Sequence, residues 1–155
     1  MSEKNFSQDA RRRCREIMTA NVTTASREMT LREVAALMRD GDVGSLPVAE
    51  NKKLVGIVTD RDIVVRAIAE GKDLETKIGD VMTTEVFSVR ADDFVFEAIR
   101  LMGDRQVRRV AVTNEAGELV GIISMADVAL ETEDEREIAE TLEEISSGAG
   151  FWRKG

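Results

Sequence analysis

The chain has 155 residues and a net charge of −8, a length that suits one compact domain built from two halves. It contains no histidine and one cysteine, Cys14. That removes the commonest general base, the commonest neutral metal ligand, any intrachain disulfide and any Cys-rich zinc site.

The first stretch, Met1-Ser2-Glu3-Lys4-Asn5-Phe6, has no secretory apolar region, and no apolar run approaches the roughly 20 residues that cross a bilayer. The expectation is a cytoplasmic protein with no membrane partner and Cys14 as a free thiol. Arg11, Arg12, Arg13 and Arg15 stand beside nearby acids, a poor nucleic-acid footprint, so no nucleic-acid partner is expected. Residues 1–16 read as an arm or short helix. Thr30-Leu31-Arg32-Glu33 reads as a capping box, and the apolar residues at 31, 34, 35, 37 and 38 predict a helix that runs out at Gly41. Ser45-Leu46-Pro47-Val48 is a strand candidate in which Pro47 suits an end or edge. Asn51-Lys52-Lys53 predicts a turn, Leu54–Val58 a buried strand, and Asp60 to about Glu70 a helix stopped by Gly71. After a short polar link, 72–80, the order repeats. It gives a helix over about 94–102, a strand around 110–113, a turn at 114–117, a strand over 119–123 and a helix from Met125. That last helix is expected to continue through an acidic segment, since residues 131–144 hold eight acids against Arg136 alone. Ser146–Gly150 breaks it, ahead of the aromatic-basic Phe151-Trp152-Arg153-Lys154.

The repetition is also literal. Met18, Thr19, Val22, Glu33, Leu37, Met38, Asp40, Val43 and Val48 recur 64 positions later as Met82, Thr83, Val86, Glu97, Leu101, Met102, Asp104, Val107 and Val112. One insertion then brings Leu54-Val55-Gly56-Ile57 back as Leu119-Val120-Gly121-Ile122, and Asp62 back as Asp127. The chain is therefore two copies of one β-α-β-β-α unit, an α/β (α+β) fold, expected to pack by pseudo-two-fold symmetry. With an aromatic share of only 4%, its methionines (Met18, Met38, Met82, Met102, Met125) are expected to fill the core.

The sharpest local signal is Gly56-Ile57-Val58-Thr59-Asp60-Arg61-Asp62, echoed by Gly121-Ile122-Ile123-Ser124-Met125-Ala126-Asp127. Each is a strand ending at a hydroxyl and turning straight into a helix. Thr59 and Ser124 stand where anions are favoured, and Asp62 and Asp127 can accept two hydrogen bonds from a ribose. Gly56 and Gly121 would let a flat ring approach the backbone. The same Thr/Ser-x-x-Asp spacing also makes a helix cap that needs no ligand, and the repeat does not decide between the two, because a duplicated domain duplicates its caps.

Together with Ile17-Met18-Thr19 and Leu46-Pro47-Val48, these motifs resemble a tandem pair of CBS motifs (the cystathionine-β-synthase type domain), over about residues 17–131. The resemblance implies an arm (1–16), a first motif (17–71), a second (81–131) and an acidic helix and tail (132–155). Each motif would be a small three-stranded sheet with two helices, and the pair would leave two clefts. It implies a non-catalytic module, commonly homodimeric, with no metal and no required cofactor. Such a module binds AMP, ADP, ATP or S-adenosylmethionine and signals to a partner protein that the sequence does not identify. Carried over by position, Asp62 and Asp127 would hold ribose, and Thr59 and Ser124 ribose or phosphate. Thr19, Thr24, Val43 and Gly44 would form one adenine-side wall, and Thr83, Ser88, Val107 and Arg108 the other. Arg108 and Arg109 stand where the first copy has Gly44 and Ser45. Their forked donors suit phosphate, so the two sites are expected to differ. A ligand-free scaffold acting through protein contacts is the alternative. An enzyme is disfavoured by the missing histidine and by the lack of a nucleophile–base pair.

Overall fold

A computed structural model of the chain describes residues 12–131 and 143–145. Its elements are α1 (Cys14–Ile17), α2 (Leu31–Gly41), β1 (Ser45–Glu50), β2 (Lys53–Thr59), α3 (Asp60–Asp62), β3 (Ser88–Arg90), α4 (Val95–Arg105), β4 (Arg109–Thr113), β5 (Leu119–Ser124) and α5 (Met125–Glu131). Of the β-α-β-β-α order expected of each copy, the helix, strand, strand, helix part is present in both; the entry strand forms as β3 in the second, whereas in the first it is reduced to a single bridge from Ala25 to Val48 beside a two-stranded sheet. The chain divides into two compact units. One, the first-repeat unit, holds Thr23–Val86 and Ala116–Leu119. The second-repeat unit holds the chain up to Val22, Phe87–Glu115 and the chain from Val120.

In the first-repeat unit, α2 begins where the sequence placed it. Thr30 Oγ1 accepts the Glu33 N–H at 3.2 Å, and Glu33 Oε1 accepts the Thr30 N–H at 3.1 Å, the reciprocal pair of a capping box. Its end is made by Asp42 in the left-handed region, φ 51°, one residue beyond Gly41. β1 and β2 form an antiparallel hairpin whose turn residues Asn51 and Lys52 both have positive φ, as the tight turn that matches strand twist requires.

Pro47 lies inside β1, paired with Ile57, and not at a strand end. The register explains why it is tolerated. Ile57 directs its own N–H and C=O to Thr83, at 2.9 and 2.8 Å. The Pro47–Ile57 rung is therefore a non-hydrogen-bonded pair, which needs no donor from proline.

Past α3 the helix widens. Ile63–Ile68 is π-helical, with the Ala69 N–H reaching back five residues to the Val64 carbonyl at 2.9 Å. Nothing in the sequence signals that widening, and it leaves Val64, Val65 and Ile68 exposed. The core of this unit comes from Leu31, Val34 and Met38 of α2, Leu46, Val48 and Val58 of the hairpin, and Ile78, Val81 and Met82.

In the second-repeat unit, β3, β4 and β5 form one sheet in that order, with β3 parallel to β4. Ala111, at the position of Pro47, pairs in register with Ser88. Cys14, Ile17, Val95, Ile99, Met102, Val112, Ile123, Met125 and Val128 make the core. Met18 packs against it, so the methionines singled out from sequence are core side chains. Burial and the carboxylates of Asp93 and Glu97 push the Cys14 thiol up to about 12. Of the acidic segment, only residues 143–145 are described. They form a helical turn whose Ile145 packs on this core; the rest, and the aromatic-basic end, lie outside the described residues.

The two leading segments are traded between the units. The Leu31 N–H, opening α2, donates to the Thr76 carbonyl at 2.9 Å. The Val95 N–H, opening α4, donates to the Arg12 carbonyl at 2.7 Å. Thr83 bridges Ile57, and Thr19 bridges Ile122. Residues 12–19, which lead into and open the first copy, thus complete the second-repeat unit. Residues 76–83, which lead into and open the second copy, complete the first-repeat unit.

Candidate functional site

Each unit presents one strand-to-helix junction of the Thr/Ser-x-x-Asp kind. In the first-repeat unit, β2 ends at Thr59, whose Oγ1 accepts the Asp62 N–H at 3.0 Å. Asp62 Oδ2 accepts the Thr59 N–H at 3.0 Å. The equivalent pair at the β5–α5 junction is Ser124 Oγ from the Asp127 N–H at 3.1 Å and Asp127 Oδ2 from the Ser124 N–H at 3.0 Å. The capping arrangement weighed from sequence is therefore made in both units.

The cap leaves acceptor capacity at the carboxylate. An ionised Asp offers about four lone-pair sites. In the first-repeat unit the Thr83 hydroxyl donates to Asp62 at 3.3 and 3.4 Å from its two oxygens. Arg66 Nε lies 3.7 Å from Oδ1, while its Nη1 donates to the Met82 carbonyl at 3.2 Å. Asp62 is buried; Asp127 is partly exposed.

The leading segments decide which candidates meet. Thr83 was assigned from sequence to a wall with Ser88, Val107 and Arg108, but its hydroxyl lies on Asp62. Thr19, assigned with Thr24, Val43 and Gly44, bridges Ile122, two residues before Ser124. Gly44 joins the Asp62 site through its carbonyl, which accepts the Asp60 N–H at 2.8 Å. Arg108 joins the Asp127 site the same way, accepting from the Met125 N–H at 2.9 Å. Val43 and Val107 are half-buried against their own cores. Arg108 and Arg109 are exposed. Thr24 precedes Ala25, which bridges Val48. Ser88 is not brought onto Asp127; it lines a groove beside α4 with Val89, Asp93, Glu97, Arg100, Leu101 and Asp104.

One expectation fails. Gly56 and Gly121 do not open the backbone to a flat ring. A Cβ on Gly56 would lie 2.9 Å from both Met82 Sδ and the Thr83 carbonyl oxygen. One on Gly121 would lie 2.5 Å from Met18 Sδ and 2.9 Å from the Thr19 carbonyl oxygen. The glycines make room for the traded Met-Thr segments, so the space beside them is occupied by protein. Sequence reasoning also missed two site residues. Arg66 was signalled by its i+4 spacing from Asp62, and Asp60 by its contrast with Met125.

The CBS domain family profile matches residues 14–68 and 78–134. The chain belongs to the CBS domain family. The CBS domain-containing protein YhcV of Bacillus subtilis is 36% identical over 132 residues, covering 85% of this chain and 94% of the relative. The crystal structure of Hypoxic Response Protein I with two coordinated zinc ions superimposes with a TM-score of 0.72 at 37% identity, covering 78% of this chain and 99% of the other. The CBS domain pair of protein MJ0100, solved with 5′-methylthioadenosine and S-adenosyl-L-methionine, gives 0.67 at 25%, covering 77% and 94%. Zinc belongs to the first of these structures. In this CBS pair, no group of three or more His, Cys, Asp or Glu among the described residues is placed to hold a metal ion. No helix among the described residues is long and apolar enough to cross a membrane.

Proposed function

We propose that the chain is a regulatory module that binds adenosine-containing ligands, one per unit, and passes occupancy to a partner protein without catalysis. The observation that carries this reading is the Thr59–Asp62–Thr83 cluster. There a buried carboxylate is held by a backbone N–H and a hydroxyl, with oxygens left to accept from a ribose, and its Ser124–Asp127 counterpart repeats the reciprocal cap around a partly exposed carboxylate. The adenosine compounds bound by the MJ0100 pair support the ligand class. Asp62 and Asp127 hold ribose, and Thr59 and Ser124 hold ribose or phosphate. Thr83, Val43, Gly44 and Thr24 surround the first-repeat site. Thr19, Val107, Arg108 and Arg109 surround the second, with Ser88 further off. Arg108 and Arg109 make the second-repeat site the better one for phosphate.

Signalling follows from population shift, since a ligand biases two arrangements only by its differential affinity for them. The module works as a homodimer, and exposed Val64, Val65, Ile68 and Leu74 supply apolar surface for it. Calorimetry with AMP and ATP tests the reading. Asp62→Ala with Asp127→Ala abolishes binding, whereas Arg108→Ala and Arg109→Ala weaken ATP more than adenosine. Full binding by the double aspartate variant removes the proposal.

The completed caps favour a second reading, a ligand-free scaffold. Thermal shift separates the two, because an adenosine compound at 100 times its dissociation constant stabilises by about 2.7 kcal/mol and a scaffold does not respond.

A further inference from the structure

Resting on the adenosine-binding reading above, we propose that the first-repeat site takes phosphate-free adenosine compounds and rejects phosphate, with Asp60 as the residue that decides. The two sites share one frame, the Asp60 N–H on the Gly44 carbonyl and the Met125 N–H on the Arg108 carbonyl. Within it the side chains are inverted in charge: glycine and aspartate in one, arginine and methionine in the other. The Asp60 carboxylate is exposed, and a local backbone contact orients it. Its Oδ1 accepts the Arg61 N–H at 2.8 Å, and its Oδ2 lies 2.9 Å from where a Gly44 Cβ would stand. With glycine at 44 the aspartate at 60 stands directly over the backbone, where a side chain such as that of Arg108 would make it swing aside. Asp60 adjoins Thr59 in the chain and sits over Gly44, so it faces the stretches assigned to the ligand. Arg66 does not neutralise it, being already engaged with Asp62 and the Met82 carbonyl. A phosphate next to Thr59 meets this negative charge, and a repulsive group of that kind is a way to discriminate between ligands that share a nucleoside.

Titration calorimetry of the full chain with adenosine and with AMP tests this, comparing wild type with Asp60→Asn, which keeps an oxygen for the Arg61 N–H. Wild type binds two adenosines per chain, but its second AMP binds at least tenfold more weakly than its first. Asp60→Asn tightens that second AMP at least tenfold and leaves adenosine unchanged. Two equal AMP sites in wild type, or AMP binding indifferent to Asp60→Asn while adenosine still binds, overturns the role of Asp60 alone. No binding of either compound to wild type overturns the functional reading and this inference together.

Discussion

Replacing Gly56 by alanine places one methyl group where the traded leading segment crosses β2. The new Cβ would lie 2.9 Å from the Met82 sulfur and 2.9 Å from the Thr83 carbonyl oxygen, both inside the 3.4 Å at which ordinary contact begins. The thioether can swing aside. The carbonyl cannot, because it accepts the Ile57 N–H at 2.9 Å while the Thr83 N–H donates back at 2.8 Å. A retreat of a few tenths of an ångström strains both bonds, each worth about 1 kcal/mol, and overpacking of this kind costs about 1–3 kcal/mol. The expected loss is about 2–3 kcal/mol, a fall in melting temperature of roughly 4–12 °C for a chain of this length. Gly41→Ala is the control. It ends α2, and its nearest neighbour would be Val43 Cγ2 at 3.7 Å, so it should gain about 0.5–1 kcal/mol from helix propensity. Urea and thermal unfolding of both variants measure the pair. A Gly56→Ala protein within about 0.5 kcal/mol of wild type, which is the scatter of ordinary surface changes, would refute the crossing as the reason for the glycine.

Cys14, fully buried and with its thiol pushed up to about 12, should resist iodoacetamide in the folded protein at pH 8.5 and react on denaturation; rapid labelling of the native state would contradict the packing. The same burial makes stability fall with alkali. The unfolded thiol ionises near its ordinary 9.0 while the folded one stays neutral, so this contribution is complete below that pH and declines toward 12, by about 1.4 kcal/mol per unit. Ile68→Asp, on the exposed π-helical face, should shift the proposed homodimer toward monomer in sedimentation velocity, and an unchanged dimer would place the interface elsewhere.

Much of this arrangement was readable from local chemistry. The Thr30–Glu33 box, the hairpin around Asn51-Lys52 and the hydroxyl-to-aspartate junctions each depend on neighbours within a few residues, and each formed as read. Pro47 does lie in an edge strand of a two-stranded sheet, but its tolerance inside that strand rests on which way Ile57 directs its hydrogen bonds, a property of a third segment. The glycines were misread for a related reason. Gly56 and Gly121 do mark a close approach, but sequence cannot say whether a ligand or the protein's own backbone approaches. That Thr83 lies on Asp62 and Thr19 beside Ile122 was not legible, because repeat alignment shows which residues are equivalent and not which copy they serve. The backbone bonds that settle the matter, Arg12 to Val95 and Thr76 to Leu31, carry no side-chain signature.

That trade of leading segments bears on how such a protein is cut and how it arose. A fragment ending between the repeats would keep residues 12–19 with no sheet of its own to bridge, and would lack the stretch that opens α2 and flanks β2. Two identical fragments can supply each other with the missing piece, as swapped dimers do. The present chain has the form of such a half-length dimer whose gene doubled in tandem, turning an exchange between molecules into one within a single polypeptide.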